Sequence, residues 1–106
     1  MLRKERRLPI QEFIGKKGKL VKSPYFLVKI YSPSKEFSRF GVTVSVKAAK
    51  KATERNRLKR LVYNFIRDYH KEIPVADYWI SVLPPAAGLS KADFLKSLKK
   101  LLDSSF

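Results

Sequence analysis

The chain has 106 residues, 44% of them apolar, which is room for one modest core. Its 24 Lys plus Arg against 9 Asp plus Glu leave a net charge of +15, an excess that repels itself unless a polyanion neutralises it and that points to nucleic acid or an anionic surface. The absence of cysteine removes disulfides and thiolate metal sites, while a single histidine, His70, and singly scattered carboxylates leave little for acid/base or metal chemistry carried by the chain itself.

Residues 1–8 read as a basic arm whose order before a partner binds is open. No apolar run approaches the ~18 to 20 residues of a bilayer span, and "MLRKERRLPI" lacks the apolar segment of a signal peptide; a cytoplasmic protein without a membrane partner is expected. Residues 8–14, "LPIQEFI", suit a short helix with Pro9 in its first turn, ended by Gly15 and Gly18. The Lys-rich "KKGKLVKSP" reads as a loop or an extended lead-in. "YFLVKIYS" has the aromatic and β-branched content of a strand. Its alternation sends Phe26, Val28 and Ile30 to one face and Tyr25, Leu27, Lys29 and Tyr31 to the other. "PSKEFS" is a turn, and "RFGVTVSVK" alternates again, with Phe40, Val42, Val44 and Val46 toward a core. The two strands are expected to pair as an antiparallel hairpin.

Residues 50–70 carry the strongest helical pattern: Leu58, Leu61, Val62, Phe65 and Tyr69 fall on one stripe, and Asn56, Arg57, Arg60, Asn64 and Arg67 on the opposite side. His70 then caps the helix end. "HKEIPVA" is a loop, "DYWISVL" a third strand in which one of Tyr78 and Trp79 must face the core, and "PPAAG" a turn. Ser90 with Asp93 resembles a capping box before a C-terminal helix striped by Phe94, Leu95, Leu98, Leu101 and Leu102. The order α-β-β-α-β-α implies an α+β fold, a two-layer α-β sandwich in a single domain, 1–106.

Two constellations carry function. From Lys47 to Arg60 there are seven cations and one acid, Glu54. Charge of one sign cannot form the i,i+4 pairs of an ordinary solvated helix, whereas guanidinium groups grip phosphate oxygens in pairs. Asn56 among the arginines either reads a base edge or braces the helix start. The second constellation is the far sheet face, where Tyr25, Lys29 and Tyr31 line up beside Arg39, Ser45 and Lys47. Aromatics interleaved with cations suit single-stranded nucleic acid; the tyrosines equally suit packing beneath the first helix and Phe13.

The segment "RFGVTVSVKAAKKATERNRLKRLVYNFIRDY" resembles the signature of the bacterial ribonuclease P protein component. The match runs through Arg39 and Gly41 in the strand, Lys47, Lys50 and Lys51 in the link, and Arg55, Asn56, Arg57, Lys59 and Arg60 in the helix. The chain departs from the family pattern at Val46, where a lysine is common, and in a short first helix that offers Phe13 as its aromatic.

The resemblance implies a β-α-β crossover of the rare left-handed kind, where the general rule favours the right-handed one. It implies an endonuclease whose catalyst is a large RNA, which removes the 5′ leader of precursor tRNA with magnesium (Mg2+) held mainly by that RNA. It further implies that the protein is a non-catalytic cofactor of that RNA, with one protein per RNA as the expected ratio. Lys47, Lys50, Lys51, Arg55, Asn56, Arg57, Lys59 and Arg60 would then bind the catalytic RNA. Phe13, Lys16, Lys17, Tyr25, Lys29, Tyr31, Arg39 and Ser45 would line a groove for the leader. The rivals are a small basic ribosomal or general RNA-binding protein, which shares the charge argument, and a stand-alone nuclease, which lacks an evident acid/base pair.

Overall fold

The computed structural model describes residues 4–106; residues 1–3 of the basic arm lie outside them. Four strands, β1 (Lys19–Lys22), β2 (Phe26–Tyr31), β3 (Arg39–Val44) and β4 (Asp77–Val82), and two helices, α1 (Ala52–Tyr69) and α2 (Lys91–Asp103), form an α+β fold. The sheet order is β1-β2-β4-β3. β2 runs antiparallel to both β1 and β4, and β3 lies parallel to β4. No helix among the described residues is long and apolar enough to cross a membrane.

Several expectations are corrected. The strands at 26–31 and 39–44 do not form a hairpin, because β4 inserts between them. A tight hairpin needs a loop of ~2 to 5 residues, whereas residues 32–38 are long enough to step across one strand. β4 is buried along most of its length, and the central place gives it ladder partners on both sides. The Lys-rich lead-in is a strand, β1, whose edge position accommodates its lysines. The first helix is only a 3-10 turn, Ile10–Glu12, which the glycines at 15 and 18 leave no room to extend.

Facing residues of neighbouring strands share a face, so the register sorts the sheet. Ile30, Tyr78 and Phe40 form one row of the helix-covered face; Val28, Ile80 and Val42 the next; Phe26, Val82 and Val44 the third. α1 lays Leu58, Val62, Tyr63, Ile66 and Tyr69 on these rows, and α2 adds Phe94, Leu98, Leu101 and Leu102. The apolar stripe of α1 is rotated from the expected one. Ile66 and Tyr63 are buried, while Leu61 and Phe65 are half-buried at its margin. Val46 lies past the end of β3 and is 63% exposed, so the strand alternation stops two residues earlier than expected. Ser90 Oγ accepts from Asp93 N at 3.2 Å, the expected cap of α2. At the end of α1, His70 N–H donates to the Ile66 carbonyl.

β3 is the other sheet edge, and its outward groups are taken up. Leu8 N donates to Phe40 O at 2.9 Å, and Val42 N donates to the Tyr63 hydroxyl at 3.2 Å. Residues 4–8 of the arm are therefore placed against β3, with a 3-10 turn at Lys4–Arg6 and a bridge between Arg7 and Phe40.

Candidate nucleic-acid interface

On the face away from the helices the rows are Tyr31, Asp77, Arg39; then Lys29, Trp79, Gly41; then Leu27, Ser81, Thr43. The first row is closed over. Phe13 packs on Tyr31 with ring centroids 4.9 Å apart, and Leu8, Phe13 and Tyr31 form a second small core with Ile10 and Trp79 against it. Gly41 permits this cover. A Cβ built there would stand 2.6 Å from Ile10 Cγ1 and 3.2 Å from Leu8 Cβ, so the segment crosses the sheet where one strand has no side chain. Gly18 plays the matching part beside the Tyr31 ring, 2.8 Å from where its Cβ would be.

Asp77 ties the closed row together. Its carboxylate is fully buried and accepts from Arg39 Nη2 at 3.1 Å, Arg39 Nε at 3.2 Å and Ser34 Oγ at 2.7 Å. Burial pushes the carboxyl up, but the bonds from Arg39 and Ser34 outweigh it and hold Asp77 below the usual carboxylate range. Arg39 is thus spent on the fold, with its guanidinium 5.7 Å from the Phe13 ring. The Tyr31 hydroxyl is buried with no hydrogen-bond partner among the described residues, and burial raises its pKa.

Apart from Gly41, which Ile10 and Leu8 cover, the second and third rows are only partly buried. Lys29 Nζ lies 5.1 Å from the Trp79 ring, and Trp79 Nε1 donates to Thr43 Oγ1 at 3.1 Å, which in turn pairs with Ser81 Oγ at 3.1 Å. An indole, an ammonium and two hydroxyls form a floor beside a wall made by residues 10–17, where Lys16 Nζ sits 4.5 Å from the Phe13 ring. Lys17 is exposed on the same segment, and Ser45 is exposed beyond the end of β3. Of Tyr78 and Trp79, Tyr78 is the one that faces the core, and the strand alternation places Trp79 on this face. Tyr25 sits apart from the others. It precedes β2 and lies on the helix side, beside Ser97, Lys100 and Leu101 of α2.

On the helix layer, Lys47, Lys50, Lys51, Asn56, Arg57 and Arg60 are exposed, and Lys59 is half-exposed. Two cations have internal work. Arg55 Nη1 donates to the carbonyls of Ala49 and Lys50 at 2.9 and 2.8 Å, bracing the link before α1. Arg57 pairs with Glu54 at 2.6 Å, and that bond draws the Glu54 pKa down. The Asn56 side chain is exposed and makes no hydrogen bond among the described residues, so its amide faces solvent rather than bracing the helix. The α1 stripe and the open sheet face lie on different layers, and among the described residues no three His, Asp or Glu gather as a metal site.

Comparison with known proteins bears on this arrangement. The family model described as Ribonuclease P matches residues 2–105. The ribonuclease P protein component of a Synechocystis strain is 44% identical over 71 residues, 66% of this chain and 57% of that protein. That of Aliivibrio fischeri is 32% identical over 90 residues, 85% of this chain and 77% of the relative. This chain thus spans little more than half of the Synechocystis protein and about three quarters of the Aliivibrio one. The RNase P protein from Thermotoga maritima superposes with a TM-score of 0.82 at 28% identity, covering 94% of this chain and 97% of that one. That of Staphylococcus aureus superposes at 0.85 and, at 24% identity, speaks for the fold alone. With the Arg39-to-Tyr69 signature on β3 and α1 and a match over nearly its whole length, the chain belongs to the ribonuclease P protein family.

Proposed function

We propose that the protein is the non-catalytic subunit of a ribonucleoprotein endonuclease that removes the 5′ leader of precursor tRNA, with one protein per catalytic RNA. The observation that carries this reading is the presence of two separate surfaces suited to RNA. The exposed stripe of α1 and its lead-in, Lys47, Lys50, Lys51, Asn56, Arg57, Lys59 and Arg60, suits the folded catalytic RNA, because phosphates set the contact and a one-signed stripe follows them. Arg55 shapes that surface by holding the link. The open sheet face suits a single strand: Trp79 offers a ring for a base, Lys29, Lys16 and Lys17 offer charge for the backbone, and Phe13 forms the wall. Tyr31 and Arg39 support the wall from beneath, and Tyr25 is left out of the groove.

No side chain is assigned bond chemistry. Asp77, the one buried carboxylate among the described residues, is committed to Arg39, and no group of the acids described there could hold a metal ion, which leaves Mg2+ to the RNA. The protein contributes affinity for the precursor and lowers phosphate repulsion near the cut, so less magnesium is needed. The test is precursor-tRNA cleavage at low magnesium by a bacterial ribonuclease P RNA, with and without the protein, beside a protein-only control. Stimulated cleavage at the mature 5′ end, with an inert protein-only lane, is expected. Tight RNA binding without stimulation of a cognate RNA would replace this reading with that of a general RNA-binding protein.

A further inference from the structure

A cleft of about 820 Å3 opens between the N-terminal arm and residues 32–38, beside the sheet rather than on it. Phe37 gives it an aromatic wall, half-exposed, with the Arg6 guanidinium 5.1 Å from the ring centroid. Leu8 and Pro9 supply apolar lining, Lys35 and Arg7 supply charge, and Glu5 places a carboxylate at the edge. Lys35 is exposed and makes no ion pair among the described residues. Arg39 also lines the cleft and stands 5.7 Å from the Phe13 ring that walls the open face. The cleft thus adjoins the segment that walls the open face.

We infer that this cleft is a second nucleotide site for the precursor's single-stranded leader, and the inference rests on the leader reading above. One base stacks on Phe37, its phosphate meets Lys35 and Arg7, and Glu5 accepts from an exocyclic amino group. Stacking on an aromatic ring tolerates any base; a carboxylate acceptor favours bases that carry an amino edge. The occupant is a strand rather than a duplex, because a ring wall needs an unstacked base.

The experiment is binding of the complete holoenzyme to precursor tRNAs whose leaders are lengthened one nucleotide at a time. Wild type gains affinity in two stages, first as the strand covers the open face and then as it reaches Phe37. Phe37→Ala removes the later gain, about tenfold, and leaves short leaders and leaderless tRNA unchanged; Phe37→Tyr, which keeps a ring, retains it. Lys35→Ala, on an exposed loop that cannot unfold the core, lowers the salt slope for long leaders only, by about 0.7. A two-stage wild-type curve that both Phe37→Ala and Lys35→Ala leave intact would overturn the second site while the leader reading stands. A uniform loss at every leader length would overturn it too, since that marks damage to the arm. A wild-type curve with no dependence on leader length would sink the leader reading and the second site together.

Discussion

Asp77 shows how one residue couples the fold to the interface. Its carboxylate is buried at the head of β4 and holds the Arg39 side chain, which supports Phe13 and with it the wall of the open face. Removing the charge leaves a largely buried guanidinium without its counterion, at a cost of about 3 kcal/mol. The pH dependence follows from the direction of the shift. The folded pKa lies below the unfolded value of ~3.9, so the stabilisation is fully present above that value and is lost as pH falls through the folded one. Urea unfolding of wild type and Asp77→Asn across pH should therefore show a gap near neutrality that narrows below about pH 4. A gap that stays constant into acid would mean that Asp77 acts through shape and not through charge.

The N-terminal segment and the link before α1 are the elements whose geometry sets the two surfaces, and each depends on one residue of the signature. At Gly41, an added Cβ meets Ile10 and Leu8, and relief by lifting the segment costs ~1 to 3 kcal/mol. Amide exchange at Leu8, whose N–H bonds Phe40 O, should quicken in Gly41→Ala, while exchange at Val42 holds. Adding Ile10→Ala should restore slow exchange; an unaltered Leu8 amide in Gly41→Ala would show that the segment does not rest on the glycine. At the link, the Lys51 side chain makes no capping bond to α1, so Arg55 and its two carbonyl bonds do the ordering. Arg55→Ala should lower stability by about 1.5 kcal/mol in thermal unfolding, against almost none for exposed Arg60→Ala; equal values would remove Arg55 from this role. These elements also show what was legible beforehand. α2, its cap and the span of α1 follow from periodicity and capping chemistry, which are local. The insertion of β4 and the placing of Arg55 on backbone carbonyls are tertiary. A strand pattern names the faces of Lys29 and Trp79 but not the neighbours of β2, so Arg39 reads as a solvent-facing cation until Asp77 is set beside it.

At the scale of the whole molecule, the charge of +15 is divided by the architecture rather than spread evenly. The sheet separates the α1 stripe from the open face, and acids appear where cations have structural duties, at Asp77 and Glu54. Three further acids, Asp68, Glu72 and Asp103, line one cleft between the ends of the helices, where Lys99 pairs with Asp103 at 2.8 Å and Arg67 with Asp68 at 3.7 Å. A uniformly basic particle would lose affinity in the same way whichever residue was altered; a divided one loses it in kind. If about six phosphates are engaged, log K for single-stranded RNA falls against log salt with a slope of about −4, at ~0.7 per contact. Arg60→Ala removes one phosphate contact with the catalytic RNA and should make the slope for assembly of the protein with that RNA shallower by about one contact's share. Trp79→Ala removes a stacking ring and should cost ~1 to 3 kcal/mol in precursor affinity with the slope unchanged, and the cost should vanish for leaderless tRNA. Binding titrations at several salt concentrations distinguish the two. If Arg60→Ala and Trp79→Ala gave superimposable salt profiles, the two surfaces would not be doing different jobs, and the division of labour between helix and sheet would have to be abandoned.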